Sequence, residues 1–176
     1  QQKKDTTGAI ESLKQGFGKY PNDNELLANM IQIHIDLNRT KEAVKYLEIA
    51  IQQSPNNANY FCIMGSLYEK LDNEKQAVDF YEKAIEIDSK LWLAFYNLGV
   101  IYYNKGVNQF DVAGKVPTND NARYQIELKK ADVWWEKSLP FMEKCYEMNA
   151  KDNNTIETLK TLYYRLKMND KYNSIL

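Results

Sequence analysis

The chain has 176 residues, with 23 Lys and Arg against 24 Asp and Glu and a single His, for a formal net charge of −1. That balance excludes a basic nucleic-acid footprint and an acidic solvating tail, and the length fits one domain whose core draws on the 44% of apolar residues. Cys62 and Cys145 are the only cysteines and, with His34, make no metal-ligand spacing, so neither a metal nor a cofactor is expected.

No apolar run is long enough to cross a bilayer, and no leader pattern is read. The chain begins with Gln1 rather than Met, which suggests a trimmed or processed product. The cysteine count leaves the redox compartment open, and the register places the two thiols on different helices, against a disulfide.

The predicted elements echo one another along the chain. Residues 6–20 read as a lone second helix, with Ala9, Leu13 and Gly16 in register and no preceding partner, so further repeats are expected upstream. Residues 24–57 carry Leu27, Met30, His34, Ala43, Leu47, Ala50 and Pro55. Residues 58–91 carry Phe61, Met64, Gly65, Tyr68, Ala77, Tyr81 and Ala84. Pro21 and Pro55, Ala43 and Ala77, Ala50 and Ala84, and Gly65 and Gly99 each stand 34 apart, a period that reads as stacked helix pairs. Each helix is about 13 residues and roughly 20 Å long. Gly65 and Gly99 mark close approaches; Asn22–Asp23, Thr40, Asn56–Asn57 and Asp72–Asn73 read as turns and caps.

Residues 92–152 begin the pattern again with Phe95, Leu98, Gly99 and Tyr102, but its second half resumes only at Ser138 and Cys145, which leaves about 27 inserted residues near 104–132. Tyr103, Val107, Phe110 and Gly114 fall at helical spacing before the turn Pro117–Asp120, and Tyr124, Leu128, Ala131, Trp135 and Leu139 do so after it. The simplest expectation is one elongated helical hairpin; a disordered loop is the alternative. Pro140 predicts a kink. Trp134 falls off the apolar stripe and is a possible partner contact on this arm, or else packs on a neighbouring helix. Residues 153–176 give a first helix with Ile156, Leu159 and Tyr163 and a short partner helix from Tyr172 to Leu176, a capping or partial repeat.

The set Phe61, Met64, Gly65, Tyr68, Ala77, Tyr81, Ala84 resembles the tetratricopeptide-repeat (TPR) family, and the resemblance covers nearly the whole chain. It implies an all-α, right-handed solenoid of antiparallel helix pairs over residues 1–176, and a concave groove lined by the first helices. By register that groove holds Ala28, Gln32, Ile35 and Asp36, then Asn59, Cys62, Ser66 and Glu69, then Leu93, Tyr96, Asn97, Val100 and Tyr103. Tyr96 and Tyr103 would anchor a peptide or partner helix, with Asn97 as a backbone partner. Tyr96 could equally touch the following repeat, and Asn59 and Ser66 could simply face solvent. The carboxylate clamp of some family members is not matched: Ala28, Gln32, Ile63 and Leu93 depart from it and Asn97 alone fits.

No catalytic set is read. His34 takes the place of a packing tyrosine and is expected in the core rather than paired with Asp36; Gly16–Phe17–Gly18 completes no phosphate loop; Lys129–Lys130 is too small for nucleic acid. The triplets Asn38–Arg39–Thr40 and Asn153–Asn154–Thr155 match the glycosylation acceptor, a pattern that arises by chance in Asn-rich chains. The expected function is a non-catalytic protein-interaction scaffold. A self-associating structural scaffold, hence a homo-oligomer, and an accessory domain of a larger enzyme or signalling protein are the alternatives. The third unit and C-terminal sequence are also similar to exported TPR proteins of Gram-negative bacteria, which implies a periplasmic or exported location, with the cytoplasm as alternative.

Overall fold

The structure is a computed structural model that describes the backbone of residues 2–175 and the side chains of residues 7–175. Among the described residues there are nine α-helices and no strand: α1 (Gln2–Lys19), α2 (Asn24–Asp36), α3 (Thr40–Gln53), α4 (Ala58–Lys70), α5 (Glu74–Ile87), α6 (Trp92–Gly114), α7 (Asn121–Met148), α8 (Asn153–Arg165) and α9 (Asn169–Ser174). They fall into two compact units, Gln1–Ser89 with α1–α5 and Lys90–Leu176 with α6–α9.

In the first unit, α2 with α3 and α4 with α5 form the helix pairs, and α1 packs on α2. The helices start where short polar side chains satisfy the first free N–H groups. The Asp23 carboxylate accepts from the Glu25 and Leu26 amides at 2.9 and 3.0 Å, and the Asn57 and Asn73 side chains accept from the amides of Asn59 and Gln76. Thr40 is the first residue of α3, and Arg39 at the cap position gives no side-chain bond. The first helix of each pair stops at a left-handed residue, Asn38 at φ 53° and Asp72 at φ 54°, one period apart. The chain then folds back far enough for the Arg39 and Asn73 amides to reach the His34 and Tyr68 carbonyls.

Leu27, Ile31, Ala43, Val44, Leu47, Ala50, Met64 and Leu67 form the core between these helices. Burying each leucine contributes about 2 kcal/mol. Gly65 is required where it stands, because a Cβ there would lie 2.6 Å from the Tyr81 ring. Tyr81 is itself fully buried.

The second unit is dominated by the elongated hairpin, 23 residues of α6 against 28 of α7. The inserted residues are therefore ordered helix apart from the turn, where Asp120 accepts from the Arg123 amide at 3.1 Å. In register, Gly106 occupies the place of the left-handed Asn38 and Asp72, yet it is helical and α6 runs on through it. The lost turn leaves a notch, and the Trp135 indole fills it so closely that a Cβ on Gly106 would overlap the ring. Nearer the base, the buried Ser138 hydroxyl donates to the Gly99 carbonyl at 2.7 Å. The helix α7 continues through Pro140.

Asp152 caps α8 by accepting from the Thr155 amide and hydroxyl at 2.8 and 2.7 Å. Lys167, at φ 57°, closes α8 as Asn38 and Asp72 close their helices. The last helix, α9, starts at Asn169 rather than at Tyr172, and Leu176 lies outside the described residues. Ala131, Trp135, Met142, Leu159, Leu162 and Tyr163 make the core of this unit. The Glu143 carboxylate ties three helices together, accepting from the Tyr163 hydroxyl at 3.0 Å and from the Lys171 ammonium at 2.6 Å.

Candidate interaction surface

Each unit displays one face of its first helices. In the first unit, Gln32 on α2 and Asn59 and Glu69 on α4 are exposed, while Ile35 and Ser66 are half-buried. The Gln32 amide donates to the Asp36 carboxylate at 2.7 Å, so the α2 face is a polar strip held in place along one turn. Ile35 leans into the core cluster. Cys62 is only 2% exposed, and burial, then the Glu69 carboxylate, push its thiol up to about 11. It is an inert packing group rather than a contact. An open depression of about 640 Å³ lies at the start of α4, lined by residues 54–59 with Ile87 and Asp88, away from the run of α4 that carries Ser66 and Glu69.

In the second unit the α6 face divides in two. Leu93 stands out at 48% exposure, with Asn97 and Val100 half-buried along the next turns. Tyr96, Val100 and Tyr103, all half-buried, pack against the Trp135–Leu159–Leu162 cluster. Trp92 stacks on Tyr96 at 4.7 Å and donates its indole N–H to the Cys145 carbonyl at 3.2 Å. Burial, Asp152 and Cys145 all raise the Tyr96 hydroxyl above the usual tyrosine value. Cys145 is buried and free, as is Cys62, and burial followed by Asp152 pushes its thiol up to about 12.

Trp134 is half-buried. Its ring stacks on Tyr102 at 6.2 Å, and the ammonium groups of Lys105 and Lys137 lie 4.5 and 4.6 Å from its centroid. The packing role accounts for these contacts.

The sequence-based surface stops at α6, but the same face continues on α8. Tyr164, 66% exposed, and Arg165 occupy on α8 the register positions of Tyr103 and Asn104. The Arg165 guanidinium lies 4.1 Å over the Phe110 ring of the hairpin. The signal for Tyr164 was in the chain, because carrying the 34-residue period across the insertion takes Tyr103 to it; Arg165 falls at the position of Asn104, outside the expected groove set. Among the described residues no group of His, Cys, Asp and Glu could hold a metal ion, and no helix is long and apolar enough to cross a membrane.

Residues 1–67 match a family model for the tetratricopeptide repeat, and residues 75–106 match one for the TPR repeat. BBSome complex member BBS4 of Bos taurus is 24% identical over 169 residues, 96% of this chain and 31% of that protein. The crystal structure of MamA protein superposes with a TM-score of 0.70 at 19% identity, covering 99% of this chain and 80% of that one. A protein from Bacteroides ovatus ATCC 8483 gives a TM-score of 0.73 at 17% identity, covering 93% and 90%. These likenesses place the fold in the all-α class of antiparallel helix pairs. The chain spans about a third of the length of its relative BBS4.

Proposed function

The chain carries tetratricopeptide repeats, and from that premise we propose that it binds a peptide or a partner helix on the exposed faces of its first helices. A repeat of this kind implies a protein-interaction scaffold, and such chains are generally non-catalytic. The observation that carries the reading is Leu93: a leucine nearly half exposed on α6, with Val100 and Asn97 beside it on the same helix. Of the expected residues, the proposal keeps Gln32, Ile35, Asn59, Ser66 and Glu69 on the face of the first unit; on the face of the second it keeps Leu93, Asn97 and Val100 and adds Tyr164. Tyr96 and Tyr103, half-buried like Val100 and packed on the same core, border it, and Cys62, 2% exposed, is left out of it. The relative from Bos taurus is a member of a complex, which is in keeping with such a role.

Leu93→Glu tests the proposal. The substitution puts a charge on a solvent-facing position and is expected to leave thermal stability within about 0.5 kcal/mol. Recovery of a specific partner from the source cells should fall at least tenfold. Equal recovery by both baits contradicts the proposal.

Self-association is the second reading, favoured by Ile126 and Val133, which are 55% and 50% exposed and two turns apart on α7. If copies pair there, Ile126→Glu with Val133→Glu turns an oligomer into a monomer in sedimentation. A wild-type chain that is already monomeric rules this reading out. An exported location, implied by the sequence resemblance, belongs to the same proposal and is tested by fractionating the source cells. The accessory-domain alternative is decided by whether the complete gene product carries a catalytic domain.

A further inference from the structure

We propose that His34 is an acid-sensitive latch: charging its ring loosens α1 and α2 from α3 and opens the N-terminal end of the first unit. His34 is 3% exposed in α2, and neither ring nitrogen meets a hydrogen-bond partner among the described residues. The ring stacks on Tyr46 of α3 at 5.3 Å with the planes 12° apart. Phe17 of α1 meets the same Tyr46 edge-on at 5.9 Å. Three helices therefore share one aromatic joint, and its central pair includes an imidazole.

The equivalent joints are built differently. Tyr68 stacks on Phe80 with the same 5.3 Å and 12°, and Tyr102 stacks on Phe141 at 5.8 Å. His34, Tyr68 and Tyr102 are one period apart, so the first joint alone carries a side chain whose ordinary value lies near neutrality. The ordinary value of a phenol lies near 10, and that of an imidazole near 6.5.

The groups around the ring come from every neighbouring element: Lys14 on α1, Arg39 in the turn after α2, and Glu42 and Tyr46 on α3. Burial is the largest influence and lowers the His34 value; Glu42 raises it, while Arg39 and Lys14 lower it further. The Tyr46 face, which can attract a cation, acts with Glu42 in the opposite direction. The ring must therefore reach water to take up its proton. The open state binds more protons once the pH falls below about 6.5, so the closed joint loses stability from there downward and its contribution is constant well above that value. Each unit by which the closed-state value is lowered makes the charged ring favour the open state about tenfold.

The test uses the full chain. His34 is its only histidine, so the imidazole C2–H gives one nuclear magnetic resonance signal that needs no assignment. The expected midpoint lies below 6.5. Amide hydrogen exchange, scaled for its intrinsic pH dependence, should be several-fold faster in α1–α3 at pH 5.5 than at pH 7.5, with α4–α9 unchanged. His34→Tyr, which installs the residue of the equivalent joints, should abolish the difference; should that variant not fold, His34→Phe makes the same comparison. A midpoint at or above 6.5, an acceleration spread over all helices, or one that persists in the variant overturns the latch.

Discussion

A single atom decides the packing of the long hairpin. The Trp135 indole occupies the space that a Cβ on Gly106 would need, and both residues lie well inside long helices. Gly106→Ala is therefore expected to destabilise the second unit by about 1–3 kcal/mol in denaturant unfolding, in spite of alanine's better helix propensity. An unchanged or raised midpoint would mean that the indole moves aside freely. The groove residues show how far single positions can be read from the chain. The period places Leu93, Tyr96 and Tyr103 on one helix and assigns each a direction. It does not say which of those directions the next helix covers. Leu93 is left in solvent, whereas Tyr96 and Tyr103 meet the core of their unit, because α7 and α8 bring Trp135, Leu159 and Leu162 against that side of α6. Cys62, 2% exposed, likewise lies in the interior. His34 was legible as a core residue because the aromatic register around it is strict; its lack of hydrogen-bond partners among the described residues was not, since that depends on what α1 and α3 place beside it.

At the scale of elements, the hairpin follows from two stretches of helical apolar spacing on either side of Pro117. What the spacing hides is the fate of the old turn. Where Asn38 and Asp72 adopt left-handed backbone, Gly106 stays helical, and the hairpin begins as a continuation rather than as a separate insertion. Pro140 works against this geometry. It sits inside α7, exposed, where its ring removes a backbone donor and crowds the carbonyl of Glu136. Pro140→Ala should restore that bond and raise stability by about 1–3 kcal/mol in urea unfolding. A loss of stability would show that the proline shapes α7 for its contacts with α8. The helix ends are less legible: Asp23, Asn57, Asp120 and Asp152 announce their helices by capping them, while α9 starts at Asn169 behind Met168, which gives no side-chain cap, three residues before the expected Tyr172.

At the scale of the molecule, repetition is what made the fold legible: one spacing of glycine, alanine and aromatic residues, met several times, specifies antiparallel helix pairs with little room for another architecture. The same repetition conceals the function, because a helix pair packs in the same way whatever its outer face displays. The central claim is that the exposed face of α6 is where a partner binds. The most direct measurement is photo-crosslinking in the source cells, with the crosslinker placed at position 93 and, as a control, at the exposed Lys83 of α5. A discrete adduct at position 93 with none at position 83 is the predicted result. Adducts at both positions, or at neither, would contradict the claim that this face carries the function.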